Sequence, residues 1–180
     1  HLLTHSSGLI SGIRRGYTWR GYDDGITLAC GEASLGFAGL TYRYSDLNFI
    51  LLGEIVRRVS GWPLDQFAAR AVFGPLKMAD TGFSPAESMR ARIAPTTRLA
   101  DGSILRGTVH DPSARAMGGV TGHAGLFTTA SDLACFSRML LNGGEVDGRR
   151  LLKRETVRTM TSVQSPPFIT ARRGLGWDID

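Results

Sequence analysis

Apolar side chains recur at helical spacing most regularly within residues 42–61, where Leu47, Ile50, Leu51, Ile55, Val56 and Val59 share one face. Ser45 or Asp46 suits the N-cap and Gly61 suits the position just past the last turn. The pattern predicts one buried helix around which the rest of the chain is organised. A second helix is expected from Pro63, placed at the first helical position, with Leu64, Phe67, Ala68, Ala71 and Val72 on one side and a stop at Gly74-Pro75. A third is expected to start with Ser131 as its cap, to bury Leu133, Ala134, Phe136, Met139 and Leu140, and to close at Asn142-Gly143-Gly144. Leu151-Leu152 and residues 156–160 suggest a short fourth helix.

The intervening stretches lack a steady period. His1-Leu2-Leu3-Thr4-His5 reads as the last turns of an apolar helix that stops at Ser6-Ser7-Gly8. Residues 9–42, rich in glycine, read as a long irregular surface excursion of the kind that walls a cleft. Residues 76–83 form a turn-rich connector, and residues 84–115 a further loop excursion with weak strand signals at Ile93 and Ile104-Leu105. Gly118, Gly119, Gly122 and Gly125 mark backbone that turns sharply or comes close to something. Pro166-Pro167 precedes residues 174–180, which read as a strand just starting. Both ends therefore look like cut elements, and the expectation is a partial domain.

At 180 residues and 42% hydrophobic, the chain can form one real core or a large part of a bigger domain. The net charge is +5 and the pI about 9.8, yet only Lys77 and Lys153 are lysines. The positive residues come as scattered pairs, Arg14-Arg15, Arg57-Arg58, Arg149-Arg150 and Arg172-Arg173, without the basic stripe and interleaved aromatics of a nucleic-acid site. They read as solvated surface, and no nucleic-acid partner is expected. Cys30 and Cys135 fit no metal spacing and are either free thiols or one disulfide. No apolar run is long enough to cross a bilayer, and the first residues show no signal-peptide pattern.

Candidate chemistry gathers where the central helix begins. Tyr44 and Asp46 are two apart, so in extended backbone both side chains leave the same face, and a phenol and a carboxylate there could do proton chemistry. The plainer reading is that Tyr44 packs under the helix and Asp46 only caps it. Of the four histidines, His1 and His5 share a helix face but lack the glutamate of a zinc-protease helix, since position 2 is leucine. His5 reads instead as a C-terminal helix residue bonding the last carbonyls. His110-Asp111 and His123 lie in irregular backbone. His123 either faces a cleft, assisting proton transfer or binding a carboxylate, or ties two loops together. A nucleophile is missing: there is no G-x-S-x-G, and the residues three before the lysines are Gly74 and Arg150, so the chain contains no Ser-x-x-Lys.

Several motifs agree in order and spacing: His1-Leu2-Leu3-Thr4-His5-Ser6-Ser7-Gly8-Leu9, Tyr44-Ser45-Asp46 running into residues 49–61, the stretch 73–83, and residues 125–134 followed by Leu140-Leu141-Asn142-Gly143-Gly144. The chain thereby resembles the serine β-lactamase and penicillin-binding protein superfamily in its class C branch, which includes D-alanyl-D-alanine carboxypeptidases and esterases. Val109-His110-Asp111 and residues 118–125 are similar in particular to the penicillin-binding protein 4B group.

The resemblance implies an α+β fold of β-lactamase/transpeptidase type, with residues 1–180 supplying mainly the helical domain and little of the antiparallel sheet. It implies a serine hydrolase that forms an acyl-enzyme from an ester, a D-alanyl peptide or a β-lactam, with no metal and no organic cofactor. In the family, Ser-x-x-Lys precedes the segment matching residues 1–9, and a third motif follows the one matching residues 174–177; this chain alone is expected to be inactive. Tyr44 matches the family's proton-relay tyrosine. Asp46 stands where asparagine is usual, keeping an acceptor for a lysine ammonium but losing, when ionised, the amide donor. His123 and Gly125, which spell His-x-Gly, align with a loop and not with the third motif, and are expected to line the cleft and contact substrate. The expected partner is a small-molecule or peptidoglycan-type substrate, with the oligomeric state open and the periplasm or cell envelope suggested by resemblance alone. The alternative is a non-catalytic relative that holds peptidoglycan fragments or a partner.

Overall fold

The computed structural model describes residues 1–14, 16 and 18–180; Arg15, one of the paired arginines above, lies outside them. Six helices and three two-stranded antiparallel ladders are described, in keeping with the helical share of an α+β fold. In chain order they are α1 (Tyr22–Gly31), α2 (Asp46–Ser60), α3 (Leu64–Ala68), β1 (Gly82–Phe83), β2 (Thr97–Arg98), β3 (Ile104–Leu105), α4 (Pro112–Ala116), β4 (Leu126–Phe127), α5 (Ala130–Leu141), β5 (Glu145–Val146), β6 (Arg149–Arg150) and α6 (Arg154–Met160). α3 continues as a wider turn over Ala69–Phe73, and a 3-10 turn spans Glu87–Arg92. The ladders pair β1 with β4, β2 with β3, and β5 with β6.

The central helix is where its pattern put it. Ser45 takes the N-cap place in extended conformation, although its hydroxyl donates to Ile10 O at 2.5 Å and not to the helix. Gly61 closes the helix at φ 75°, its N–H bonding Arg57 O. Leu47 and Ile50 are fully buried, together with Ile10, Ile26, Ala29 and Met117, in a core shared by α1, α2 and α4. Ile55 (46% exposed) and Val59 (83% exposed) do not join it, so the buried face is narrower than expected. The reason is Glu54, which is buried on that helix and accepts from Arg57, Arg58 and the Tyr22 hydroxyl, so that the last two turns meet α1 through a polar network.

A second core joins Leu76, Met78, Met139 and Val146, with Val72, Phe136 and Leu152 against it. Here α5 starts earlier than expected: Thr129, not Ser131, caps it by accepting the Asp132 N–H at 3.2 Å. Its inward residues are Asp132, Cys135, Phe136, Met139 and Leu140, while Leu133 and Ala134 are exposed. Asp132 is buried because it accepts the Asp80 N–H and the Thr81 hydroxyl, fastening α5 to the connector before β1.

Other expectations are corrected. Residues 9–42 are not wholly irregular, since α1 lies within them. Residues 84–115 hold a strand at Ile104–Leu105 but none at Ile93, and α4 begins at their end. The first five residues form a turn, not a helix, and residues 174–180 form a turn with a single bridge between Arg173 and Asp178, not a strand. Arg173 is buried and ion-paired with Asp178, so it is not solvated surface, whereas the partly exposed Arg57 and the exposed Arg58 pair with the buried Glu54. Cys30 and Cys135 are both free thiols. Among the described residues, no helix is long and apolar enough to cross a membrane.

Candidate active site

The N-terminal turn fits a fixed seat for the start of α2. His5 adopts a left-handed conformation at φ 53°, with the His5 N–H bonding Leu2 O and the Ser6 N–H bonding His1 O, the paired bonds of a helix-terminating motif. Its side chain turns inward (2% exposed). Nδ1 accepts the Ser45 N–H at 3.1 Å and an Asn48 amide N–H at 3.1 Å. Asn48 in turn accepts the Ser7 hydroxyl at 2.5 Å, and the Asp46 N–H reaches Ser11 O at 2.8 Å. Because both partners of His5 Nδ1 are donors, that nitrogen is bare and the ring neutral. Burial holds the His5 pKa below its ordinary value, and the nearby Arg173 adds to this. His5 therefore does not bond the last carbonyls of a helix, as expected from sequence; it bonds the first residues of α2.

Tyr44 is 61% exposed and its ring stacks on His5, with centroids 4.4 Å apart and planes inclined by 29°. The reading that packs Tyr44 beneath the helix is thus set aside. Ser45, between Tyr44 and Asp46, is extended, the condition for both side chains to leave one face. No hydrogen bond joins the Tyr44 hydroxyl to the Asp46 carboxylate, each of which has its own surroundings.

Asp46 is half-buried at the first turn of α2 and gathers with Asp111 and His123, the three donor atoms lying within 4.8 Å of one another. His123 Nε2 is 2.9 Å from Asp111 Oδ1. A carboxylate only accepts, so Nε2 donates, while Nδ1 is buried with no partner among the described residues. Asp111 also caps α4 by accepting the Ala114 N–H at 2.7 Å. The hydrogen bond from His123 holds the Asp111 carboxyl below the usual carboxylate range against the effect of burial. Burial pushes the Asp46 carboxyl up, with Asp111 adding to it and His123 opposing. A cation could bridge three donors so spaced, but the His123–Asp111 separation is that of an ordinary hydrogen bond, and the carboxylate-imidazole pair accounts for it without an ion.

Glycine makes this gathering possible. A Cβ on Gly122 would lie 2.0 Å from Phe49 O, so only glycine lets the loop press onto α2 and deliver His123 beside Asp46. Gly125, at φ 106°, lines a cavity of about 670 Å³ between β4 and residues 85–111, with Asp111, Arg92 and Phe127 also in its wall. His123 borders a separate apolar cavity of about 460 Å³ with Phe49, Ile55 and Leu64. His123 thus ties two loops together and lines a cavity, but its side chain is 4% exposed and its polar atoms do not reach solvent. Asp111 was noted from sequence beside His110 in irregular backbone but given no role; the Asp-Pro pair opening α4 was the available signal.

Residues 1–180 match the family described as Beta-lactamase. A protein of Escherichia coli (strain K12), provisionally named a D-alanyl-D-alanine carboxypeptidase, is 36% identical over 159 residues, which is 79% of this chain and 36% of that protein. A Salmonella typhi protein of the same name is 34% identical over the same shares. The chain thus spans about a third of the length of the curated relatives it matches. Among solved structures, a penicillin-binding protein homologue from Caulobacter crescentus superposes with a TM-score of 0.72 at 22% identity, covering 98% of this chain and 53% of the other. The Beta-lactamase/D-alanine carboxypeptidase from Yersinia pestis gives 0.70 at 19%, covering 99% and 51%. These likenesses show the fold, and the match over the whole sequence shows that the chain belongs to the Beta-lactamase family.

Proposed function

We propose that residues 1–180 are the helical part of a serine hydrolase of the class C β-lactamase-like kind, whose attacking serine lies in polypeptide outside this chain. The observation that carries the reading is the exposed Tyr44 phenol, held at the start of α2 by a buried polar network. In the proposed reaction the serine oxygen bonds to the acyl carbon of the substrate, the bond from that carbon to the leaving group breaks, and the serine proton passes by way of Tyr44 to the departing group. Water then cleaves the acyl-enzyme by the reverse traffic. Asp46 takes the place of the usual asparagine as acceptor for a lysine ammonium, its carboxyl pushed up by burial, with His123 opposing and Asp111 adding to it. The names of the relatives favour a D-alanyl peptide of the peptidoglycan type as substrate, with esters as the easier test compounds.

The absence of Ser-x-x-Lys from the sequence supports the further reading that this chain alone is inactive. The test is labelling by a fluorescent penicillin and by a fluorophosphonate. The complete protein should be labelled and the 180-residue chain should not. Labelling of the chain alone would overturn the assignment of the serine, and failure of the complete protein to label would favour a non-catalytic binding relative.

A further inference from the structure

We infer that His5 is a positioning residue for Tyr44: its ring is the platform, and its Nδ1 the anchor, that set the phenol at the mouth of the site. The inference rests on the reading of Tyr44 as the proton-transfer group. At the left-handed position that ends a helical turn, glycine is the residue sterics favour, yet this chain puts histidine there at φ 53°. Histidine tolerates that region better than most residues, and an occupied left-handed position points to a use for the side chain.

The contacts show the use. One face of the imidazole carries the Tyr44 ring at 4.4 Å, and Phe49 and Tyr42 pack at 5.1 and 6.1 Å. Nδ1 holds the Ser45 N–H, the peptide directly following Tyr44, while His5 O accepts the Arg43 N–H at 2.8 Å from the residue directly before it. One residue thus grips the chain on both sides of Tyr44 and supports its ring. Asn48, one turn along α2, shares Nδ1 and so ties the grip to the helix itself. Tyr44 itself makes no hydrogen bond among the described residues, so its ring is located by the backbone on either side and by the stack.

The anchor and the platform can be separated. His5→Asn suits the left-handed backbone and presents Oδ1 near the position of Nδ1, retaining the anchor without the ring. His5→Phe keeps an aromatic face and loses the acceptor. In the complete protein, on an activated ester, kcat should fall about 10- to 100-fold for His5→Phe with KM within about twofold, because a small misplacement of a reacting group costs that much. His5→Asn should recover part of the loss, the remainder being the share of the ring on which Tyr44 stacks. Tyr44→Phe is assayed alongside. If it lowers kcat while His5→Phe does not, the His5 inference is overturned and the role of Tyr44 stands; if Tyr44→Phe leaves kcat unchanged, the underlying reading fails and the inference with it. Should His5→Phe not fold, the imidazole ¹⁵N shifts of the unaltered protein decide. A bare Nδ1 with a protonated Nε2 supports the anchor, and a protonated Nδ1 overturns it.

Discussion

His123 Nε2 donates to Asp111 Oδ1 at 2.9 Å across two loops, and the same oxygen caps α4 by accepting the Ala114 N–H at 2.7 Å. One carboxylate thus fixes both the glycine-rich loop and the helix beside it. Asp111→Ala removes the cap and leaves His123 Nε2 buried without an acceptor, and should cost about 1–3 kcal/mol in urea unfolding. Asp111→Asn retains an acceptor oxygen and should recover at least half. Equal losses for the two variants would show that the hydrogen bonds are not what stabilises the loop.

Gly122 should not tolerate a methyl group. A Cβ there meets Phe49 O at 2.0 Å, a backbone atom of α2 that cannot swing aside, so Gly122→Ala should destabilise by about 1–3 kcal/mol. Gly31, at the end of α1, has open space around its missing Cβ, and Gly31→Ala should be neutral or stabilising by up to about 1 kcal/mol. Thermal melts of the pair read the contrast directly, and an unchanged melting point for Gly122→Ala would contradict the close approach.

Glu54 and Tyr22 predict how stability depends on pH. Hydrogen bonds from Arg57, and after them Arg58 and Tyr22, hold Glu54 down at about 2, against an ordinary 4.5. A carboxyl lowered on folding stabilises fully above its unfolded value, so this contribution is lost as pH falls from about 4.5 toward 2. Burial, and then the bond to Glu54, push Tyr22 up to about 12 from 10. A phenol so raised stabilises fully below 10, and the contribution is lost as pH rises toward 12. Glu54→Gln should therefore flatten the acid limb of the stability profile and weaken the alkaline one. An acid limb unchanged in that variant would place the titrating group elsewhere.

The sequence disclosed α2 because Leu47 and Ile50 are fully buried and the Gly61 stop is a local backbone requirement. It concealed α1, since Gly25 and Thr27 dilute a period that only Tyr22, Ile26 and Ala29 sustain, although Asp23 and Asp24 stood in its first turn. The cap of α5 was displaced by two residues because Thr129 and Ser131 are equally good caps on paper and only the Asp132 N–H decides. The pairing of Tyr44 and Asp46 at the start of α2 was legible from their spacing, though spacing alone left the plainer reading of packing and cap open. What joins Tyr44 to His5, and Asp46 to Asp111 and His123, was not legible, since those contacts cross 39 to 77 positions of chain and depend on how loops fold back. Family motifs gave the likeness, while the role of His5 emerged only from the direction of its ring.

The role of Tyr44 is tested most directly by the rate at which a fluorophosphonate phosphonylates the complete protein, fluoride leaving as the serine oxygen bonds to phosphorus. Replacing the phenol by Tyr44→Phe removes the proton acceptor and leaves the stack on His5, so the melting temperature should hold. The rate should fall by about 10²–10⁴-fold, the usual contribution of a positioned acid-base group. A variant that folds normally and is phosphonylated as fast as the unaltered protein would contradict the assignment.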